Sequence, residues 1–295
     1  MNKIAHSIRY KSTVASSITS SSSSQIYKSI SANKIKDKLS YELDSCMRDG
    51  HHSMFLFGTG WLRTIKDKES QAYYLASMAA PYSVLEEALD NASSTSIVGK
   101  YNIQKRSSDN NNKNTHTSTT IPLTITKLGK FWNEIKDIRR ASSLKLDVSS
   151  LGGNNIPLPA SARYVAKIQD AANRNDGIAL LGHCYTRYLA DLFGGSALGY
   201  PTETALNLPD KSMQFYQFPS SITRDRKAFI QKLYTSLNTA GDQMNNIELR
   251  NEVVNEAKLA FKLNADIYTE QPYFLVGAVG GIINLSSGLL KRTMK

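Results

Sequence analysis

The sequence predicts an all-α fold, a single helical bundle with one long insertion. No segment shows the sustained alternation of apolar and polar residues that is typical of strands, and no tandem repeat is present. Hydrophobic residues make up 41% of the 295 residues, which is enough for the core of one large domain. Apolar residues instead recur at helical spacing in residues 37–64, 66–91, 123–142, 160–173, 176–194, 224–237 and 247–270.

Charge and cysteine content exclude two classes of protein. The formal net charge is +11, but six basic residues precede the first acid, Asp37, and three more lie among the last five residues. Residues 37–290 therefore carry only +2, so we expect no nucleic-acid partner. Cys46 and Cys184 lie far apart and lack metal-site spacing, which argues against a disulfide scaffold or a cysteine zinc site.

Residues 1–36 have the composition of a transit peptide. They contain six basic residues, eleven serines and no acid, and the start "MNKIAHSIRYKSTVASS" can form a short amphipathic helix. The segment lacks the apolar core of a secretory signal. We therefore expect a mitochondrial protein, with a plastid as the alternative because serine richness is shared. A merely disordered tail is the other interpretation.

The central helices follow in order. Residues 66–91 form the clearest amphipathic helix, with one face made of Tyr74, Met78, Tyr82, Leu85 and Leu89. Residues 92–121 are then a low-complexity insertion without periodicity, which predicts a disordered loop. Helical spacing resumes after it and is interrupted once, by the Gly/Pro stretch "LGGNNIPLP".

Residues 272–295 form a hydrophobic C-terminal tail. Residues 273–290 carry no charge and precede Lys291 and Arg292. This length is at the lower limit for a spanning helix, and four glycines and three polar residues weaken that interpretation. Gly277 and Gly281 have the spacing of closely packed helices. The tail is expected either to associate with a membrane or to pack on its own domain.

One stretch, "GHCYTRYLADLFGG" at residues 182–195, is the strongest candidate for a functional site. His183, Arg187 and Asp191 recur every four positions and form one polar stripe on a helix. Gly194 and Gly195 end the stretch, where glycine lets a helix bend and a flat ligand approach the backbone. The alternative is a buried ion pair between Arg187 and Asp191 in a closely packed helix.

This stretch resembles the distal helix of heme oxygenases, L-x-x-H-x-Y-T-R-Y-L-G-D-L-S-G-G. The segments "PASARYVAKIQDA", "FYQFP" and "EAKLAFKLNADIY" are similar to the helices around it, and "WLRTIKDKESQAYYLASMAAPYSVLEEALD" ends in the family's Y-x-x-L-E-E pattern. The similarity covers most of residues 40–270 apart from the insertion. Residues 37–271 are thus identified as a single heme-oxygenase-like helical bundle.

The resemblance implies a site and a reaction. Haem, as substrate and cofactor, lies between a first, proximal helix and the kinked distal helix, and O₂ and a reductant cleave it to biliverdin, carbon monoxide and iron. Asp191 matches the distal aspartate that anchors catalytic water, with Tyr185 and Arg187 beside it, and Gly194 and Gly195 match the kink. His183 matches a core histidine. An active enzyme would need a ferredoxin or a flavin reductase as electron donor.

The proximal side departs from the family pattern. Counted back from the Y-x-x-L-E-E match, the axial histidine position falls on Asp49. His51 and His52 lie within one helical turn of it and are the alternative axial ligands of the haem iron. In the same register, Glu42 occupies the proximal position at which the family has a basic residue for a haem propionate.

The later helix and the distal helix depart as well. The family's two basic propionate positions fall on Gln231 and Thr235, which leaves the adjacent Lys232 as a candidate, and Ala190 replaces the glycine before Asp191. These changes keep three hypotheses open. The chain is an active organellar haem oxygenase, or a degenerate homologue with a binding or scaffold role, or a haem carrier or sensor without turnover.

Overall fold

The computed structural model describes residues 38–48, 52–94, 127–154, 156–244, 246–270 and 274–294. The predicted transit peptide and residues 95–126, which include most of the predicted insertion at 92–121, lie outside these ranges. Within them the regular structure is helical, as predicted, with four short 3₁₀ turns. The helices are α1 (Leu39–Arg48), α2 (His52–Thr64), α3 (Lys68–Ser94), α4 (Lys127–Ile135), α5 (Ala141–Ser150), α6 (Pro159–Ala172), α7 (Leu180–Phe193), α8 (Gly199–Ala205), α9 (Ser220–Thr223), α10 (Arg226–Asp242), α11 (Ile247–Thr269) and α12 (Phe274–Thr293).

Helix α3 is the centre of the bundle and packs against α4, α5 and α6. Its predicted apolar face, from Tyr74 to Leu89, is buried throughout. Pro81 lies inside this helix and has no N–H to donate to the carbonyl four residues before it, that of Ser77. The Ser161 hydroxyl of α6 donates to that carbonyl at 2.6 Å, which satisfies it and joins α6 to α3.

Helix α7 lies against α11, and its start differs from the prediction. The periodicity predicts a helix from Asp176, but Asn175, Asp176 and Gly177 all have positive φ and form a left-handed turn, so the helix begins at Leu180. Gly182 brings the two helices together, because a Cβ at this position would overlap the carbonyl oxygen of Val253 in α11.

Helix α1 runs antiparallel along α10. Leu39 packs on Gly241, the Ser40 N–H donates to Asn238 Oδ1 at 3.0 Å, and Lys38 pairs with Asp242 at 2.6 Å. The side chain of Asp225 caps the start of α10 by accepting from an N–H of its first turn. The contacts between α1 and α10 therefore fix the first helix of the bundle to the helix that carries the later pair of predicted propionate positions.

Helix α12 contains the hydrophobic tail, and it packs on α2 and α8. Its glycines form the contact face: a Cβ on Gly281 would overlap the carbonyl oxygen of Leu62, and one on Gly288 would overlap that of Thr204. The opposite face exposes large apolar side chains, among them Val276, Val279, Ile283 and Leu290. No helix in the described part of the chain is long and apolar enough to cross a bilayer.

Candidate active site

The polar stripe of α7 is buried, and its three members have different partners. His183 is fully buried, and its Nε2 lies 3.0 Å from Glu256 Oε2 in α11. Glu256 also accepts from Arg174 at 2.6 Å. This arrangement fits the core histidine expected from the resemblance. The alternative of a direct ion pair between Arg187 and Asp191 is not what the structure shows, because a tyrosine hydroxyl lies between the two side chains and bonds to both.

That tyrosine is Tyr82 of α3, and it organises the site. Its hydroxyl donates to Asp191 Oδ2 and accepts from Arg187 Nη2 at 3.0 Å. The Arg187 guanidinium lies 4.8 Å from the centre of the Tyr82 ring, and its Nη1 donates to Asn264 Oδ1 in α11. Asp191, Tyr82, Arg187 and Asn264 therefore form one buried network across three helices.

The protonation states in this network are set by burial and by charge. Burial raises the pKa of the Asp191 carboxyl above its ordinary value, while Arg187 and the Tyr82 hydroxyl oppose that rise. Burial raises the pKa of Tyr82 well above 10, so its phenol is a neutral donor. Burial alone would lower the pKa of Arg187, but Tyr82 and Asp191 raise it, so the guanidinium stays charged.

Beside the network, α7 ends in bare backbone. Gly194 donates its N–H to the Ala190 carbonyl at 2.8 Å and closes the helix. Ala190 and Gly194, one turn apart, are both exposed on the same side of the helix. A Cβ on Gly194 would meet only the Ala190 oxygen, and one on Gly195 would lie 3.3 Å from Asp191 Oδ1. A flat ligand can therefore approach the backbone here, with a fixed carboxyl next to it.

Tyr185 faces a different carboxylate. Its hydroxyl donates to Asp44 Oδ1 of α1, and the Tyr234 hydroxyl of α10 donates to the same oxygen at 2.9 Å. All three side chains are buried. Glu42, two residues earlier in α1, turns to α11 and pairs with Arg250 at 2.6 Å. The acid of α1 that faces the distal helix is thus Asp44, and not the Glu42 of the ungapped register.

The remaining predicted residues are either exposed on α10 or lack a described side chain. Gln231, Thr235 and Lys232 are exposed on α10. His51 lies outside the described residues, and His52 begins α2 but its side chain is not among them. Axial ligation thus stays a prediction. Within the described ranges no three His, Cys, Asp or Glu side chains are grouped to hold a metal ion.

The sequence pattern identified Arg187, Asp191 and the glycine pair, but it missed three residues that complete the site. Tyr82 was placed only on an apolar helix face, and neither Asn264 nor Asp44 was singled out. Asn264 lies within "EAKLAFKLNADIY", and Tyr82 opens the Y-x-x-L-E-E match. Both residues lie in segments that resemble the family, and this resemblance was the signal that could have found them. The sequence contains no comparable signal for Asp44.

Comparison with known proteins agrees with this architecture. The sequence profile of the family described as "Heme oxygenase" matches residues 130–270. Heme oxygenase of Rhodella violacea is 34% identical over 141 residues, 46% of this chain and 57% of that protein. Heme oxygenase 1 of Bos taurus is 34% identical over 146 residues, again 46% of this chain but 47% of that protein. The chain thus spans about half the length of these two relatives.

A longer alignment and two solved structures extend the similarity. Heme oxygenase 1 of Nostoc sp. is 28% identical over 227 residues, 75% of this chain and 79% of that protein. The crystal structure of heme oxygenase-1 from Synechocystis sp. in complex with heme has a TM-score of 0.60 at 23% identity and covers 85% of this chain and 99% of that one. Heme oxygenase 2 from Chlamydomonas reinhardtii, without heme, has a TM-score of 0.62 at 19% identity, with 80% and 98% covered.

The fold is therefore that of the heme oxygenases, an all-α bundle, and the predicted fold class is confirmed. Residues 130–270 of the chain match the heme oxygenase family, as the resemblance of the α7 segment indicated.

Proposed function

We propose that this protein is a haem oxygenase that cleaves haem to biliverdin, carbon monoxide and iron. The observation that carries the proposal is the position of Asp191. Its carboxyl is buried and oriented by Tyr82, and its Oδ1 is adjacent to Gly195 at the open end of α7. A carboxylate that served only the packing of the core would be surrounded by packed side chains. The backbone next to Asp191 is instead exposed at Gly194.

Haem would be the substrate, and its iron would bind O₂ when reduced. The exposed strip of Ala190 and Gly194 would lie against the ring. Asp191 would hold water or a proton beside it, because burial raises its pKa and Tyr82 fixes its orientation. Arg187 would stabilise the ionised form of Asp191 after it gives up a proton. His51 or His52 would be the axial ligand, and a ferredoxin or flavin reductase would supply electrons.

A reaction with reductant in air tests this proposal. Purified full-length protein is mixed with hemin and ascorbate, while carbon monoxide is trapped by ferrous myoglobin and biliverdin is followed by absorbance. We expect both products from the wild type, and we expect Asp191→Asn to form carbon monoxide at least about 100-fold more slowly while still binding hemin. Asp170→Asn, an exposed change of the same charge on α6, is the matched control. Wild-type protein that forms neither product would overturn the proposal.

A second candidate is a homologue with a binding or scaffold role and no turnover. It is favoured by the acid–tyrosine cluster of Asp44, Tyr185 and Tyr234 and by the neutral Gln231 and Thr235 on α10. It predicts that an Asp191→Asn gene rescues a deletion strain of the source organism as well as the wild-type gene does. Failure of a folded Asp191→Asn protein to rescue would eliminate this candidate.

For location, the composition of residues 1–36 supports a mitochondrion, with a plastid as the alternative. A fluorescent protein fused after residue 36 tests it. We expect the fusion to enter the organelle and to lose the segment, whereas diffuse fluorescence at full length would contradict the proposal.

A further inference from the structure

The outer face of α12 carries most of the exposed apolar side chains of the protein. Of the twelve large apolar residues that are exposed within the described ranges, seven lie between residues 276 and 294. Six of these form a strip along the helix, and we call it the outer strip: Val276, Val279, Ile282, Ile283, Leu289 and Leu290. Residues 273–290 contain no charged side chain, so the outer strip is uncharged along its whole length.

The domain itself leaves the outer strip uncovered. The opposite face of α12 is fixed to the domain, because Gly281 lies against the carbonyl oxygen of Leu62. Asn284, on the same face as Gly281, donates to the carbonyl oxygen of Lys66 at 2.5 Å. Contiguous apolar patches of more than a few hundred Å² are rare on soluble monomers and mark interaction sites. We therefore expect another molecule to cover the outer strip.

The spacing within the outer strip favours a second helix as this partner. Val276, Ile283 and Leu290 are seven residues apart, and all three are more than half exposed. A seven-residue apolar repeat keeps one line of side chains facing a second helix as the two helices wind around each other. Binding to a lipid surface requires an apolar face but no such repeat. Ile282 and Leu289, again seven residues apart, widen the line on one side.

A second copy of the chain has the surface that the outer strip requires. A twofold-symmetric contact places the same patch of both copies face to face, so the patch has to be self-complementary, as an uncharged apolar strip is. With exposed fractions of 43% to 75%, the six residues together expose on the order of 600 Å². A stable interface buries about 800 Å² on each partner. The outer strip thus supplies most of the area that a dimer needs.

The charge at the end of α12 favours one direction of the pair. Lys291 directly follows the outer strip and is exposed. In a parallel pair, this lysine of both copies would lie at the same end, where the two charges repel each other. An antiparallel pair separates the two lysines by the length of the strip, which is about 21 Å between the levels of Val276 and Leu290.

We propose that the outer strip is a homodimer interface in which the α12 helices of two copies pack antiparallel. Val276 of one copy then lies at the level of Leu290 of the other, and Ile283 lies at the twofold axis. This inference does not rest on haem cleavage, because no residue of the outer strip belongs to the site on α7.

Sedimentation equilibrium of the full chain at several concentrations tests the proposal. We expect the wild type to form a dimer with a dissociation constant on the order of 10 µM. Ile283→Arg places a guanidinium of each copy at the centre of the apolar contact, where it has no acceptor. We therefore expect the dissociation constant to rise at least about a hundredfold.

Ile156→Arg is the matched control. It makes the same change at a similarly exposed residue outside α12, so we expect the dissociation constant of the wild type. Thermal unfolding checks that each variant is folded. If Ile283→Arg is not folded, Val279→Arg in the same strip takes its place.

A charge exchange tests the antiparallel direction. Val276→Glu and Leu290→Lys each place a charge in the strip, and each should weaken the dimer at least about tenfold. In the double variant, an antiparallel pair brings the new carboxylate of one copy beside the new ammonium of the other at both ends. We therefore expect it to dimerise about tenfold more tightly than either single variant. Weaker dimerisation of the double variant would overturn the antiparallel direction.

Three further results would overturn the interface itself. The first is wild-type protein that stays monomeric at about 100 µM. The second is an equal effect of Ile283→Arg and Ile156→Arg, which would place the dimer contact elsewhere. The third comes from flotation with vesicles made of equal parts of phosphatidylcholine and phosphatidylglycerol. Monomeric wild-type protein that floats with these vesicles, when Ile283→Arg does not, would show that lipid covers the outer strip.

Discussion

Two buried carboxylates beside α7 each accept a hydrogen bond from a tyrosine, but their surroundings differ. Asp191 lies near the last turn of α7, which we call the open end, and Asp44 faces Tyr185 in the first half of α7, which we call the closed end. Asp191 accepts from Tyr82, lies near the Arg187 guanidinium and is adjacent to exposed backbone at Gly194. Asp44 accepts from Tyr185 and Tyr234, and it joins α1, α7 and α10.

The comparison shows that one motif can be kept at one end of a site while the other end changes. The stretch "YTRYLADLFGG" is continuous, but its first tyrosine, Tyr185, and its aspartate, Asp191, belong to different clusters. The features that favour haem cleavage lie at the open end, whereas the closed end joins three helices through one carboxylate. Variants at each end can separate the two.

The largest effect is expected at the open end, from Gly194→Leu. A Cβ at this position meets only the Ala190 oxygen at 3.5 Å, and φ is −120°, so the fold should accept a side chain. The leucine would, however, occupy the place of a flat ligand. We expect hemin affinity to fall by at least about a thousandfold, measured by absorption titration, with the unfolding free energy changed by less than about 0.5 kcal/mol.

Ser286→Leu adds the same side chain to an exposed position of α12 and is the control for nonspecific hemin adsorption. If Gly194→Leu binds hemin as the wild type does, the ligand does not lie along the open end, and the contrast between the two ends has no functional meaning.

The next effect concerns a third buried carboxylate, Asp147, which supports the open end. It accepts the N–H groups of Gln214 at 2.8 Å and Phe215 at 2.7 Å, and the Phe215 ring packs on Tyr82. Burial raises the pKa of Asp147 to about 6, from 3.8. The folded state therefore binds the proton more tightly than the unfolded state. As pH rises from about 4 to 6, the unfolding free energy should fall by up to about 3 kcal/mol relative to Asp147→Asn.

Urea unfolding of the wild type and Asp147→Asn at several pH values between 4 and 7 measures this difference. Parallel curves for the two proteins would show that burial does not shift the pKa of Asp147.

A smaller effect is expected from Tyr82→Phe. The change leaves Asp191 without the donor to its Oδ2 and Arg187 without one acceptor, both in the core. We expect the unfolding free energy to fall by about 2 kcal/mol in urea titrations. Tyr73→Phe, on the exposed side of the same helix, should cost less than about 0.5 kcal/mol. Equal costs for the two variants would mean that the network does not stabilise the fold.

The smallest effect is expected from Tyr234→Phe at the closed end. Asp44 keeps the Tyr185 hydroxyl in this variant, so we expect a loss of about 1 kcal/mol. A loss as large as that of Tyr82→Phe would contradict the distinction between the two carboxylates. The same urea titrations give both values.

Local patterns in the sequence predicted most of the fold. Helical spacing identified α3, α6, α7, α10 and α11, and the face from Tyr74 to Leu89 is buried as expected. The start of α7 was wrong by four residues, because Asn175, Asp176 and Gly177 adopt a left-handed turn that apolar spacing does not reveal.

Contacts between distant segments limited the prediction of the site. Arg187 and Asp191 share a helix, so spacing alone places them together. Tyr82 and Asn264 reach them from helices about a hundred and about eighty residues away in sequence. Asp44 was missed because the ungapped register selected Glu42, whereas only the packing of α1 on α10 shows which acid faces α7. For the C-terminal tail, the sequence was compatible with association with a membrane and with packing on its own domain. The contacts of Gly281 with Leu62 and of Gly288 with Thr204 show that the tail packs on its own domain.

Hydrogen–deuterium exchange of the full chain, with and without one equivalent of hemin, tests the central claim most directly. The claim is that haem lies along the open end of α7, against Gly194 and beside Asp191. It predicts slower exchange of the amides of residues 193–199 when hemin is added, with no change in α12. Unchanged exchange at residues 193–199 at saturating hemin, or protection confined to another helix, would contradict it.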